Sequence, residues 1–207
     1  MTDTATPALP ARFAEAIQRF DAANARDPNL ETADGIAHPR ELLYARRLTA
    51  WVRCLCPDAP EELLLAARCQ HLCRWEIPRN SQPMTRAGYL VWRAGLKKFH
   101  AQKAGEILRA TGYPEEIIQQ VQDLNLKKHF PADPLSRVME DALCLVFLEF
   151  QFAELAGKTD AAKTINALQK SWQKMSEAGR AEALKLKYGA REQGLLASAL
   201  QSSPASA

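Results

Sequence analysis

Apolar residues recur along this chain at three- and four-residue steps separated by short polar breaks, the period of amphipathic helices rather than of strands. In the first run, about Pro10 to Asn24, Phe13, Ile17 and Phe20 share one face. Asp27 to His38 is polar, carries Gly35, and predicts a loop. Pro39 suits the first turn of a second helix, Pro39 to Cys56, where its missing N–H costs nothing. Pro57 ends that helix, and Asp58 caps a third over roughly Pro60 to Trp75. Ile77 to Pro83 sets two prolines around polar residues and reads as a loop. A long helix follows from Thr85 to about Thr111, closed by Gly112, and a shorter one from Pro114 through Lys128. Val138 to Ala156, ended by Gly157, is the most apolar segment. Two amphipathic helices (about 159–174 and 177–188) come next, and residues 189–200 add a weak last turn or two.

Continuous β-branched or aromatic runs are absent, so the predicted fold is all-α: a compact multi-helix single domain over residues 10–188. A flexible N-terminal tail (1–9) and a weakly ordered C-terminal tail (189–207) flank it. The 207 residues, 47% apolar and 25% charged, suffice for a substantial core and exclude a disordered or fibrous chain. A net charge of +3 does not by itself mark a nucleic-acid binder. There is no basic start followed by an apolar run, and no apolar stretch approaches the ~20 residues a membrane span requires. The five cysteines are odd in number and lie in helical patterns, which points to the cytoplasm.

Chemistry concentrates in two places. Glu140 and Asp141 are the only charges in Met139 to Leu148, a run apolar on every side. Buried carboxylates need a cation, a hydrogen-bond network or a metal, unless both simply sit near the helix N-terminus and its dipole. The second place is residues 68–103. It holds His71 and His100, with Lys97 one turn before His100 on the same face. Arg74, Arg79 and Arg86 surround the proline loop, and Arg46 and Arg47 lie beside Tyr44. Arginine suits bidentate capture of phosphate or carboxylate, and Trp75, Tyr89 and Trp92 are placed to stack on a ring. The plain alternative is that these cations solvate helix surfaces while the aromatics pack. Cys69 and Cys73 share a helix face with His71 opposite, and no second cysteine pair completes a tetrahedron, so a structural zinc is rejected.

The strings Glu41-Leu-Leu-Tyr44-Ala-Arg-Arg47, Gln70-His71-Leu-Cys-Arg74-Trp75-Glu76-Ile-Pro78-Arg79, Lys97-Lys98-Phe-His100-Ala-Gln-Lys103-Ala-Gly105-Glu106 and Glu140-Asp141-Ala-Leu-Cys-Leu-Val-Phe resemble a family designated domain of unknown function 4202. The likeness covers roughly residues 10–187. More distantly, the order of elements is similar to the HD-domain superfamily of metal-dependent phosphohydrolases. That resemblance implies an HD-domain-like fold and a divalent metal, with Gln70-His71 at the His-Asp place, His100 at a mid-chain His place and Asp141 as the late Asp. The chain departs from the pattern in having Gln-His rather than His-Asp, and Tyr44 and Arg47 where a helical His is expected; His38 precedes that helix.

The first functional expectation is therefore a divergent HD-like hydrolase acting on a phosphorylated or otherwise anionic small molecule. His71, His100 and Asp141 would hold the metal, with Glu76 or Glu140 as accompanying catalytic carboxylates. Arg47, Arg74, Arg79, Lys97 and Trp75 would hold the anion. The alternative is a non-catalytic module that binds a nucleotide, RNA or a protein on a degenerate scaffold without metal. A third reading makes Glu140, Asp141, His71 and the arginines an internal ion-pair network that fixes helix packing.

Overall fold

The structure is a computed structural model that describes residues 10–201. The expected N-terminal tail, residues 1–9, and positions 202–207 of the expected C-terminal tail lie outside the described residues. The protein is predominantly helical, as the spacing predicts, and its chain falls into two compact units that divide between Ser136 and Arg137.

In the first unit, helix α1 (Ala11–Asn24) leads into a short antiparallel hairpin, β1 (Leu30–Ala33) and β2 (Ile36–Pro39). This corrects the loop expected over 27–38. Asp34 and Gly35 both have positive φ (50° and 76°) and link the paired residues Ala33 and Ile36. Two such residues in an Asp-Gly step make a tight turn whose twist matches the strands it joins. α2 (Arg40–Leu55) and α3 (Glu61–Cys69) follow, then α4 (Arg86–Ala110) and α5 (Glu115–Leu126). α3 is the centre of this unit: Leu63, Leu65, Ala66 and Ala67 are fully enclosed, and the helix packs against α1, α2 and α5. α4 lies along α5.

The third helix ends earlier than expected, at Cys69 instead of Trp75. Cys73 takes a left-handed conformation, φ 55°, which no helix continues through. Its buried N–H donates to Asn24 Oδ1 at 3.0 Å, while Asn24 Nδ2 reaches the Glu41 carbonyl at 3.4 Å. One amide thus ties the end of α1 to the start of α2 and to the turn after α3. His71 sits in that turn and not on a helix.

The start of α4 is fixed by contact with the preceding loop. Thr85 Oγ1 accepts the Gly88 N–H at 3.1 Å, and Trp92 Nε1 donates to the Ile77 carbonyl at 3.0 Å. Gly88 leaves no alternative: a Cβ there would lie 2.1 Å from the Pro83 carbonyl oxygen.

α6 (Pro134–Val146) carries the chain across the division between the units. The apolar run expected as one helix to Ala156 widens into a π turn, Phe147–Gln151, and resumes as α7 (Phe152–Lys158). α8 (Ala161–Lys174) and α9 (Glu177–Lys185) are capped by Asp160 and Ser176 side chains. In place of a weak last turn there is a 12-residue helix, α10 (Ala190–Gln201), which buries Leu195, Leu196 and Ala199 and packs against α8. Among the described residues no helix is long and apolar enough to cross a membrane.

Replacing Asn24 by Ala strands the Cys73 N–H in the interior, and a buried donor left unpaired costs roughly 2 kcal/mol. Urea unfolding of Asn24→Ala is expected to show that loss. A change under about 0.5 kcal/mol would mean the turn is held by something else.

Candidate functional site

Three elements of the first unit bring ionisable groups together around the turn after α3. Glu41 stands in the first turn of α2, where a carboxylate is favoured by the helix dipole. Its backbone N–H donates to Asp27 Oδ2 at 3.0 Å, which anchors the start of the helix. Its side chain is buried, and Oε2 has no well-aligned donor. The nearest polar group is His71 Nδ1, 3.3 Å away. Arg74 is also close, with Nε 4.0 Å from Glu41 Oε1 and Nη1 3.5 Å from His71 Nδ1. The carboxylate is the nearer and the anionic neighbour, so the proton of this imidazole belongs on Nδ1.

His100, on the fourth turn of α4, is 3% exposed. Its Nδ1 donates to the Leu72 carbonyl at 2.8 Å, which assigns the lone pair to Nε2, a buried atom with no hydrogen-bond partner. The two imidazoles lie side by side with ring centroids 5.7 Å apart, and Tyr44 stacks on the other ring, 4.2 Å from His71 at 15°. Burial pushes the pKa of His100 down to about 3, helped by the neighbouring His71. Burial also lowers that of His71, against the pull of Glu41 and with the push of Arg74 and Lys127. Both rings are neutral at physiological pH.

His100 thus has Nδ1 hydrogen-bonded to a carbonyl, and His71 has Nδ1 close to a carboxylate, which leaves the lone pair of each ring on Nε2. That is how metal-binding and proton-accepting histidines are oriented: a carboxylate or a backbone carbonyl holds Nδ1–H and aims Nε2. Among the described residues no group of three or more His, Cys, Asp or Glu side chains is arranged to hold a metal ion.

The other residues singled out from the sequence lie as follows. Asp141 is buried, and its oxygens accept the Ser176 N–H at 2.8 Å and the Ser176 hydroxyl at 2.5 Å. A Cβ at Gly179 would sit 2.5 Å from Asp141 Oδ1, so the acid fits closely under the first turn of α9. Glu140 is buried and lies 3.3 Å from Lys174 Nζ. Glu76 accepts two contacts from Lys103 Nζ, 2.7 and 2.9 Å, which hold its carboxyl below the usual range. Arg47 pairs with Glu31 of the hairpin. Arg79 donates to the carbonyls of Gln82, Pro83 and Thr85 and so closes the proline loop. Arg74 lies over the Trp92 ring at 5.4 Å, beside the histidine pair. Trp75 and Lys97 are half-buried. A separate cavity of about 170 Å³, lined in part by Glu62, Asp123, His129 and Asp133, opens elsewhere in the first unit. Its aspartates are already engaged, Asp123 by Lys128 and Asp133 by the Ser136 N–H.

Sequence reasoning placed Tyr44 where a helical His is expected but did not find Glu41 or Lys127 as parts of this cluster. Glu41 and His71 are 30 positions apart, and no local signal joins them. The left-handed turn at Cys73 that brings them together depends on Asn24.

The fold and the histidine pair define a helical protein with a buried, carboxylate-flanked imidazole centre. The chain belongs to the family described as Domain of unknown function (DUF4202), whose model matches residues 14–196. Comparison with curated proteins and with solved structures found no match.

The histidines give stability a definite pH dependence. Both folded values lie below the unfolded imidazole value near 6.5, so the unfolded chain takes up protons first as pH falls. The contribution is complete above pH 6.5 and is lost on acidification, by at most about 1.4 kcal/mol per pH unit for each ring. Unfolding measured between about pH 7.5 and 5 should show falling stability, and His100→Gln should make that fall shallower. An equal slope in the variant would remove His100 from the account.

Proposed function

We propose that this protein is a divalent-metal-dependent hydrolase of anionic small molecules whose centre is the His71–His100 pair. The observation that carries the proposal is the paired orientation of the rings. The Leu72 carbonyl holds Nδ1 of His100, the Glu41 carboxylate lies 3.3 Å from Nδ1 of His71, and the buried Nε2 of His100 has no hydrogen-bond partner. The distant resemblance of the sequence to HD-domain phosphohydrolases supports the same reading.

Two neutral imidazoles fit a borderline divalent ion such as zinc, iron or nickel. His71 and His100 would hold it through Nε2, and the chemistry supplied there would be Lewis-acid activation of water near neutral pH. Glu41 keeps the His71 proton on Nδ1 and stabilises positive charge that develops on that ring. Arg74, half-exposed beside the pair, receives the anionic group of the substrate, with Lys127 adding positive potential. Tyr44 limits the tilt of the His71 ring from its other face. All five cysteines are free thiols, which supports the cytoplasm as the compartment.

Elemental analysis of the gently purified full chain is the direct test, repeated on His71→Ala, His100→Ala and Glu41→Gln. Near-stoichiometric metal is expected in the parent and its loss in both histidine variants. The glutamine variant should bind metal about 10- to 100-fold more weakly, the usual effect of removing such an orienting carboxylate. If the parent neither retains nor takes up zinc, iron, manganese or nickel, the proposal fails.

A further inference from the structure

The first half of α4 differs from the rest of the molecule in charge and in exposure. From Ile77 to Gly105 the chain carries six Arg and Lys residues and no Asp or Glu. Among the described residues, four of the seven exposed large apolar side chains fall in the same stretch, among them Met84 (75% exposed), Leu90 (56%) and Val91 (59%). Between Arg86 and Lys98 only Gly88, Trp92 and Leu96 are buried, a single line down one side of the helix. The remaining circumference stands out as a ridge about 20 Å long at 1.5 Å per residue.

Helical spacing sorts that ridge. Leu90 lies opposite the buried line, between Ala87 and Ala94. Arg93 and Lys97 run along one flank, and Val91 and Lys98 along the other. Gly95 has nothing within 4 Å of where a Cβ would be, so the surface there is open. An apolar crest edged on both sides by long cations is the arrangement that lets side-chain stems lie along hydrocarbon while their charged heads reach outward.

We propose that this ridge, Met84 to Lys98, is a docking surface for an anionic lipid bilayer. It lies in the membrane plane and does not span it. Charge complementarity selects an anionic partner, since Arg86, Arg93 and Lys98 are exposed on the ridge and Met84 to Lys98 contains no Asp or Glu. Two features select lipid over nucleic acid. Leu90 on the crest, Val91 on its flank and Met84 just before the helix gain from hydrocarbon and have no role on a phosphate backbone. The surface is also convex and open, suited to a flat deformable sheet. In the cytoplasm, where the free thiols point, the facing leaflet is the anionic one. The proposal does not depend on the histidine centre.

Vesicle co-sedimentation of the full chain tests it, with phosphatidylcholine alone or mixed with phosphatidylserine, and with single-stranded RNA as a competing probe. The parent is expected to sediment with the serine-containing vesicles and not with phosphatidylcholine alone. Arg93→Gln with Lys98→Gln should weaken that partition about tenfold or more, from the loss of two cations. Leu90→Ser with Val91→Ser should weaken it several-fold at unchanged charge, and circular dichroism checks that both variants keep their helices. Absence of binding to the mixed vesicles in low salt overturns the proposal. So does full binding by the serine variant, or binding of RNA through these residues without binding of vesicles.

Discussion

Cys73 adopts a left-handed backbone that disfavours a residue bearing a Cβ by roughly 1–2 kcal/mol, and its N–H faces the interior, where Asn24 accepts it. Much of the first unit depends on this contact. Because α3 stops before the turn, the Leu72 carbonyl is not used by a helix and is open to His100. Because the chain reverses, His71 comes back over the start of α2 and meets Glu41 and Tyr44. The same Asn24 side chain reaches the Glu41 carbonyl, so the carboxylate and the turn share one anchor. A continuous helix to Trp75 would have carried His71 elsewhere, and the two imidazoles would not be neighbours.

The electrostatics of the cluster follow from where its charges are held. A lone buried carboxylate is costly, and Glu41 is tolerated because the Arg74 guanidinium lies 4.0 Å and the His71 Nδ1 3.3 Å away on one side and the helix dipole acts from the other. The histidines meet the opposite pressure. Desolvation outweighs the attraction of the one carboxylate, and both rings are uncharged. A neutral imidazole with its N–H already committed can ligate a cation or accept a proton, whereas an imidazolium can do neither. Burial and orientation together make the pair chemically available.

The helices were legible in the sequence because each buries a stripe whose period is local, and their boundaries were readable where proline or glycine stops the chain, as at Pro57 and Gly112, or where a threonine opens a helix, as at Thr85. Buried partners for Glu140 and Asp141 could likewise be anticipated, since the segment around them is apolar on all sides. Lys174 and Ser176 fill that role. The hairpin was hidden because its strands are four residues long and polar, and its one signal, Asp34-Gly35, was read only as a loop. The early end of α3 was hidden for a different reason. Nothing between Cys69 and Trp75 breaks a helix locally; the break is imposed by Asn24, 49 positions earlier. Glu41 was missed as a consequence, because its role appears only once that turn is in place.

Arg74 and Arg79, five positions apart, show why a count of cations does not locate a site. Arg79 spends its guanidinium on three backbone carbonyls within the loop that it closes. Moving it would take the side-chain donor from the Gln82 and Pro83 carbonyls, so its geometry is set by the fold. Arg74 has no such bonds among those described for it. It rests over the Trp92 ring, with its closest carboxylate contact at 4.0 Å, a distance at which an ion pair is weakly directional. An incoming anion with two oxygens offers it a stronger, bidentate contact than it has here, and its position beside His71 needs no rearrangement of the turn. Of the arginines gathered around the proline loop, the loosely held one stands next to the histidines, and the tightly held one builds the wall behind it.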